Sequence, residues 1–215
     1  MLKQIFLILA CLTLLLNGSI AQIPAPITNL AEIPGGAYRL DPTHVSIVYR
    51  ISHLGLSNLT GTFDAIEGEL EFFPRTPERS GLRVVAGVAS IDANNQIVED
   101  VLLGERFFDA ENHPQIIFET TDIEALSSSE GRIDGSLEMR GERHPVSLMA
   151  TFNGYGVNGL TLHRTLGFSA TMTLSRSQWD MVAYPAMIGD EVTLHIEAEF
   201  VKRNFEPEED GGVFD

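Results

Sequence analysis

Cysteine is almost absent from this chain of 215 residues, because the single one, Cys11, lies in the apolar N-terminal segment. Once that segment is removed, no disulfide can form, and stability must come from the packed core. Tryptophan and tyrosine are also scarce, at 1 and 4 residues. A transmembrane β-barrel needs girdles of these residues at both membrane interfaces, so their scarcity argues against that class of protein.

Positive charge is scarce as well. The formal net charge is −16, and loss of Lys3 with the N-terminal segment makes it −17. Such a surface repels nucleic acid and anionic lipid headgroups, so we expect no nucleic-acid partner. Part of the acidity lies in residues 204–215, which we interpret as an acidic disordered tail without capacity to bury apolar surface.

Residues 1–21 have the features of a secretory signal peptide. Lys3 precedes an apolar run from Ile5 to Leu16, and small residues stand just before Gln22. The run falls short of the ~20 residues that span a bilayer, so we expect no transmembrane segment after signal removal. A membrane anchor and lipidation at Cys11 are the alternatives. The predicted location is therefore periplasmic or secreted.

Residues 22–36 form a proline-rich lead-in, which we interpret as a linker that holds the barrel off its neighbours, with a short buried edge segment as the alternative. Beyond it, apolar and polar residues alternate with period two, typical of strands with one buried face. Residues 97–103 depart from this pattern and predict a short helix or two irregular turns. The strands can stack as a sandwich or close as a barrel, and we favour the barrel because closure removes exposed edges.

Small residues recur on the predicted buried faces of the strands, at Ala86, Gly135, Ala150, Ala170 and Ala198. An eight-stranded barrel lined in this way can leave room for one ligand. Ordinary bends and packing positions are the alternative reading of the same residues.

Several motifs follow one another in a family-specific order: Asp41-Pro42-Thr43-His44, His53-Leu54-Gly55-Leu56-Ser57, Gly61-Thr62-Phe63, Phe107-Phe108-Asp109, Arg176-Ser177-Gln178-Trp179 and Gly189-Asp190-Glu191-Val192. From about Ala37 to Lys202 the chain resembles the YceI-like family, small exported β-barrels that bind polyisoprenoids or other long-chain amphiphiles. Two departures are clear. Val45 stands where the family usually has serine, and Leu102 stands where it usually has histidine.

The resemblance implies an all-β fold over residues 37–203, a lipocalin-like eight-stranded antiparallel barrel with one short helical segment. It implies an exported carrier that binds a polyisoprenoid or other long-chain amphiphilic lipid, with an isoprenoid quinone as one candidate. The residues expected to line the ligand space are Phe63, Phe118, Leu137, Phe168, Ala170, Met172 and Trp179. His44 and His53 are expected at strand ends, where a polar headgroup would emerge. Plain core packing and structural hydrogen bonds are the alternatives for these residues.

Two other classes of function stay open. One is a periplasmic enzyme working in the barrel cavity, and the other is a stress-related protein-binding module. The chain has no Gly-x-Ser-x-Gly or His-Glu-x-x-His motif, and its six histidines are scattered singly. We therefore predict a non-enzyme with no metal site and no cofactor beyond a bound isoprenoid lipid or quinone. Whether two chains pair as a homodimer is left open.

Overall fold

The structure is a computed structural model that describes residues 24–203. It contains ten strands: β1 Gly36–His53, β2 Ser57–Phe63, β3 Ile66–Phe72, β4 Gly81–Gly87, β5 Ile91–Asp92, β6 Gln115–Ala125, β7 Glu130–Met139, β8 Glu142–Val157, β9 Arg164–Ser175 and β10 Ile188–Lys202. One helix, α1, spans Gln96–Leu103. Short 3-10 turns occupy Leu30–Glu32, Pro77–Arg79, Val88–Ser90 and Arg176–Trp179.

The strands form one closed antiparallel barrel, because β1 pairs with β3 on one side and with β10 on the other. β2 and β3 run in the same direction against successive parts of β1, so they act as one interrupted strand. β5 and β4 are related in the same way through their pairing with β2 and β3. The ten segments therefore occupy eight strand positions around the barrel, which confirms the predicted eight-stranded barrel with one short helix.

Alternation along each strand decides which face becomes the interior. β3 shows this most simply, since Ile66, Leu70 and Phe72 are buried while the intervening glutamates at 67, 69 and 71 are exposed. Successive side chains on a strand point to opposite faces, so one apolar set fills the barrel and one polar set faces water. The interior residues form two contiguous apolar clusters that together run along the barrel.

Helix α1 lies in the connection from β5 to β6. Its N-terminus is capped by Asn95, whose side-chain oxygen accepts a hydrogen bond from the amide of Ile97 at 3.0 Å. Its last turn ends at Gly104, whose amide donates to the carbonyl of Val101 at 3.3 Å. We call the end of the barrel that carries α1 the helix end. The opposite end, with the connections 73–80, 126–129 and 158–163, is the turn end.

The lead-in lies against the turn end of the barrel over its described part. Ile27 exchanges two backbone hydrogen bonds of 2.8 Å with Tyr155, and Ile33 is buried. The hydroxyl of Tyr38 donates to the carbonyl of Pro34 at 2.5 Å. The lead-in therefore docks on the barrel through a few contacts, while most of its described residues are exposed. The predicted signal peptide and acidic tail lie outside the described residues.

β1 contains a bulge of several residues. Leu40 pairs with Phe200 and Val45 with Ala198, so the four residues Asp41–His44 stand opposite Glu199 alone. Pro42 cannot donate a ladder hydrogen bond, and a bulge is one of the few places where a sheet tolerates proline. The bulge moves Thr43 and His44 to the outer surface of the barrel wall.

No helix among residues 24–203 combines the length and apolar character needed to cross a bilayer.

Candidate functional site

The barrel encloses a cavity of about 630 Å³ that runs along its interior. The walls are formed by inward-facing side chains from all eight strand positions, and nearly all of these side chains are aliphatic or aromatic. The volume falls in the range typical of small-molecule sites, which are mostly apolar and largely preformed. A chain-like apolar molecule is the ligand that this shape and surface favour.

Solvent-exposed residues border the cavity at both ends of the barrel. At the helix end these are Thr60, Asn94 and Asn95, and at the turn end they are Ser127, Ser128 and Glu130. These polar borders contrast with the apolar wall that lies between the two ends of the barrel. The polar groups that a ligand in the cavity would meet therefore lie at the two ends of the barrel.

Six of the predicted lining residues come together around this cavity: Phe63, Phe118, Leu137, Phe168, Ala170 and Met172. Phe168 packs on a cluster of rings, with its centroid 5.3 Å from Phe152 and 6.0 Å from Phe200. Phe63 meets Phe108 edge to face with centroids 5.8 Å apart. The rings that border the cavity are thus held by other rings, which fixes the shape of the wall.

Not every small interior residue contributes empty space. Ala86, Ala150, Ala170 and Ala198 border the cavity. Gly135 does not, because the ring of Phe118 from the neighbouring strand occupies the position that a Cβ atom would take. Gly135 therefore fits the alternative interpretation, a packing position, since an aromatic neighbour fills the gap.

Trp179 is placed in the core and does not border the cavity. Its side chain is fully buried among Met181 and other apolar residues of the helix end, and its indole N–H donates to the carbonyl of Glu142 at 3.2 Å. His144 packs edge to face against it. The prediction that Trp179 lines the ligand space is therefore corrected: this ring closes part of the helix end.

Neither predicted headgroup histidine borders the cavity. His44 lies in the β1 bulge on the outer wall, facing a shallow groove that includes Pro26, Asn153 and Glu197. His53 ends β1 and pairs with Ser57 across the β1–β2 turn. The geometry therefore does not support direct contact between either imidazole and a ligand inside the barrel.

His44 instead belongs to a hydrogen-bonded cluster with Asp41 and Thr43. Its Nδ1 lies 2.9 Å from Asp41 Oδ2, while Asp41 Oδ1 accepts from the Thr43 amide and hydroxyl at 2.9 and 2.7 Å. The hydrogen bond to Asp41, helped by the charge of Glu199, raises the pKa of His44. Burial would raise the pKa of the Asp41 carboxyl, but the bonds from Thr43 and His44 outweigh it and lower that pKa.

Asp41, His44 and Glu199 also present three potential metal-ligand atoms within 4.8 Å of one another. Alternation does not reveal this grouping, because Glu199 is distant in the chain and the bulge that meets it leaves no trace in the period-two pattern. The hydrogen bonds between Asp41, Thr43 and His44 account for the cluster as a support of the bulge.

Arg176 also borders the cavity, although it is not among the residues expected from the sequence. It continues the inward-facing series of β9 after Ala170, Met172 and Leu174, and only 4% of its surface is exposed. Burial lowers the pKa of its guanidinium, opposed by the charge of Asp190. Extending the period of β9 by one step would have found it, but arginine side chains are rarely buried, so the residue type argues against an inward position.

The comparisons with known proteins fit this architecture. A family model described as the YceI-like domain matches residues 38–200. The chain belongs to the YceI-like family. A UPF0312 protein of Pseudomonas putida strain F1 is 29% identical over 205 residues, covering 94% of this chain and 100% of the relative.

Two solved structures show the same fold. The YCEI protein of Campylobacter jejuni superposes with a TM-score of 0.64 at 25% identity, covering 71% of this chain and 90% of that one. A polyisoprenoid binding domain from Saccharophagus degradans, implicated in plant cell wall breakdown, has a TM-score of 0.58 at 10% identity. That comparison covers 77% of this chain and 98% of the domain.

Proposed function

We propose that this YceI-like protein is an exported carrier that holds a polyisoprenoid or another long-chain amphiphilic lipid inside its barrel. The observation that carries the proposal is the cavity of about 630 Å³ with an almost wholly apolar wall. The structural neighbour described as a polyisoprenoid binding domain supports the same class of ligand.

The physical chemistry of such a site suits exchange with membranes. Burial of an apolar chain contributes about 0.8 kcal/mol per CH₂ group. A bilayer offers nearly the same gain, so the net preference between protein and membrane is set by shape and by contacts to the head. A carrier with that balance can both load and release its lipid.

Binding rather than turnover is the reading that the lining favours. Among the described residues that border the cavity, the charged ones are Arg176 at the helix end and Glu130 at the turn end. They belong to opposite ends of the barrel and cannot work as one acid–base pair. A cavity enzyme would consume its lipid, so incubation with candidate lipids followed by product analysis separates the two classes. A stress-related protein-binding module would leave the cavity without an apolar ligand.

Export is part of the proposal and rests on the sequence of residues 1–21. A signal cleaved before Gln22 would place the carrier in the periplasm or outside the cell. Intact-mass measurement of the exported protein should give a chain that begins at Gln22 without an acyl group. An acylated Cys11 would contradict this part of the proposal.

Uptake by delipidated protein tests the binding function. The protein is stripped with organic solvent, refolded, and incubated with geranylgeraniol or with the longer solanesol, and complexes are measured by native mass spectrometry. We expect saturable binding at about one lipid per barrel. Absence of binding for both alcohols, with the barrel shown to be folded by circular dichroism, would contradict the proposal.

A further inference from the structure

We propose that Arg176 anchors the head of the bound lipid, and that this head presents an oxygen acceptor to the guanidinium. This inference rests on the proposed lipid-binding function and adds the chemistry of the head to it. Arg176 is the one cationic residue among the described residues that border the cavity, and it lies at the helix end of an otherwise apolar wall.

The hydrogen bonds of Arg176 leave donor capacity unused. Its Nε donates to the carbonyl of Gly189 at 2.8 Å, Nη1 donates to the carbonyl of Met181, and Nη2 donates to the carbonyl of Ile188 at 3.2 Å. A guanidinium carries five N–H groups. Among the described residues, these three carbonyls are the acceptors, so donors on the Nη atoms remain for another partner.

The charge of Arg176 is also incompletely balanced. Its acceptors are neutral carbonyls, and Asp190, which acts on it through charge, directs its own oxygens to the Ser177 amide and hydroxyl at 2.9 Å each. Each guanidinium nitrogen has one neutral carbonyl partner. An acceptor from the ligand would add a charge-assisted hydrogen bond to the remaining N–H groups, which makes such a head favourable at this point.

The chemistry of the group decides what kind of head fits. A guanidinium only donates hydrogen bonds and always carries positive charge. A carboxylate or a quinone carbonyl can accept from it, whereas an ammonium head cannot and is repelled. The ligand class that this site favours is therefore a long isoprenoid chain ending in an oxygen acceptor, either anionic or neutral.

Three probes with the same geranylgeranyl chain test the inference: geranylgeranoic acid, menaquinone-4 and geranylgeranylamine. Affinities are measured by titration of the delipidated full mature protein. For the wild type we expect the acid and the quinone to bind at least about tenfold more tightly than the amine, as a charge-assisted hydrogen bond allows. The larger advantage, for acid or for quinone, identifies which of the two acceptor heads the site prefers.

The variant Arg176→Gln should bring the three affinities to within about threefold of one another. Arg176→Lys should keep the acid ahead of the amine because it retains the charge. Arg83→Gln is the matched control, since Arg83 lies on the outer face of β4 and pairs with Glu119 at 3.2 Å. This control should leave the order unchanged.

The outcomes separate the two levels of the proposal. Failure of all three probes to bind the folded wild type would contradict lipid binding itself. Equal binding of the three probes, or an acceptor preference that survives in a folded Arg176→Gln protein, would overturn the role of Arg176 while leaving lipid binding intact. If Arg176→Gln does not fold, the role of Arg176 is tested by the order of the three probe affinities in the wild type and in Arg176→Lys.

Discussion

The ring of Phe118 on β6 covers Gly135 on β7, in the space that a side chain at position 135 would occupy. A Cβ atom there would also lie 2.8 Å from the carbonyl oxygen of Glu119. The backbone of β7 and the ring of Phe118 thus form one continuous part of the barrel wall. Such pairing of an aromatic ring with a glycine is a recognised way to fix strand register in curved sheets.

Gly135→Ala should therefore destabilise the barrel, because either Phe118 or the β6 backbone must move. We expect a loss of about 1–3 kcal/mol in the free energy of unfolding, the usual cost of overpacking. Urea denaturation followed by circular dichroism measures it. Gly81→Ala is the control, since nothing lies within 4 Å of a Cβ atom at Gly81. Equal stability of the two variants would show that the wall accommodates a side chain at position 135.

Ala170→Phe tests whether the cavity is ligand space. Ala170 borders the cavity between Ala150 and Ile196 on the adjacent strands, so the added ring should enter the cavity without displacing packed neighbours. We expect roughly unchanged stability and a sharp fall in solanesol uptake, with geranylgeraniol affected less. Thr171→Phe, on the exposed face of the same strand, should change neither property.

A different result for Ala170→Phe would show whether Ala170 lies in the packed core instead of the ligand space. If the variant loses about 1–3 kcal/mol, as overpacked cores do, and still takes up solanesol like the wild type, Ala170 belongs to filled core. The ligand would then have to bind elsewhere.

Trp179→Phe separates closure of the helix end from ligand contact. The smaller ring removes the donor of the part-buried hydrogen bond to the Glu142 carbonyl and leaves a gap at the fully buried position of Trp179. We expect destabilisation of about 1–3 kcal/mol with lipid affinity unchanged. Phe168→Leu, which alters a ring that borders the cavity, should change the affinity. A Trp179→Phe protein that is stable but binds lipid poorly would indicate that Trp179 contacts the ligand.

The Asp41–His44 pair predicts a pH dependence of stability. The hydrogen bond that the His44 ring donates to the Asp41 carboxylate raises the pKa of His44 in the folded state. Its contribution is therefore complete below the pKa of the unfolded histidine and is lost as pH rises through the raised folded pKa. Asp41 has a lowered pKa, so its contribution is lost as pH falls through that lower value. The pair should stabilise the bulge most between these two limits.

NMR titration of the His44 ring measures this directly. Asp41→Asn should lower the pKa of His44, and Glu199→Gln should lower it by less because its charge is the smaller of the two causes. Asp134→Asn, on the outer face of β7 and hydrogen-bonded to Ser147, should leave it unchanged. An unaltered His44 titration in Asp41→Asn would contradict the hydrogen-bonded pair.

The barrel and most of its lining were predictable because alternation reports which face of a strand is buried. Phe118, Phe168, Ala170 and Met172 lie within regular strands, and the structure places all four at the cavity. Trp179 follows a strand by way of the 3-10 turn Arg176–Trp179, where the period of two no longer applies. Its side chain therefore packs at the barrel end.

Two further differences have separate physical causes. The bulge at Asp41–His44 sets four residues against one and breaks the relation between position and face, so His44 could not be assigned from the pattern. Arg176 violates the rule that charged residues face water, because backbone carbonyls solvate its guanidinium inside the barrel. A buried charge at a cavity wall can only be recognised once those carbonyls are placed.

We propose that the barrel holds a long-chain apolar lipid in the cell that makes it. Mass spectrometry of an organic extract, from protein purified gently from its natural source, tests this most directly. We predict about one isoprenoid or other long-chain amphiphile per barrel, enriched over an extract of the Ala170→Phe variant prepared in parallel. An extract in which no long-chain lipid exceeds the amount recovered with that variant would contradict the claim.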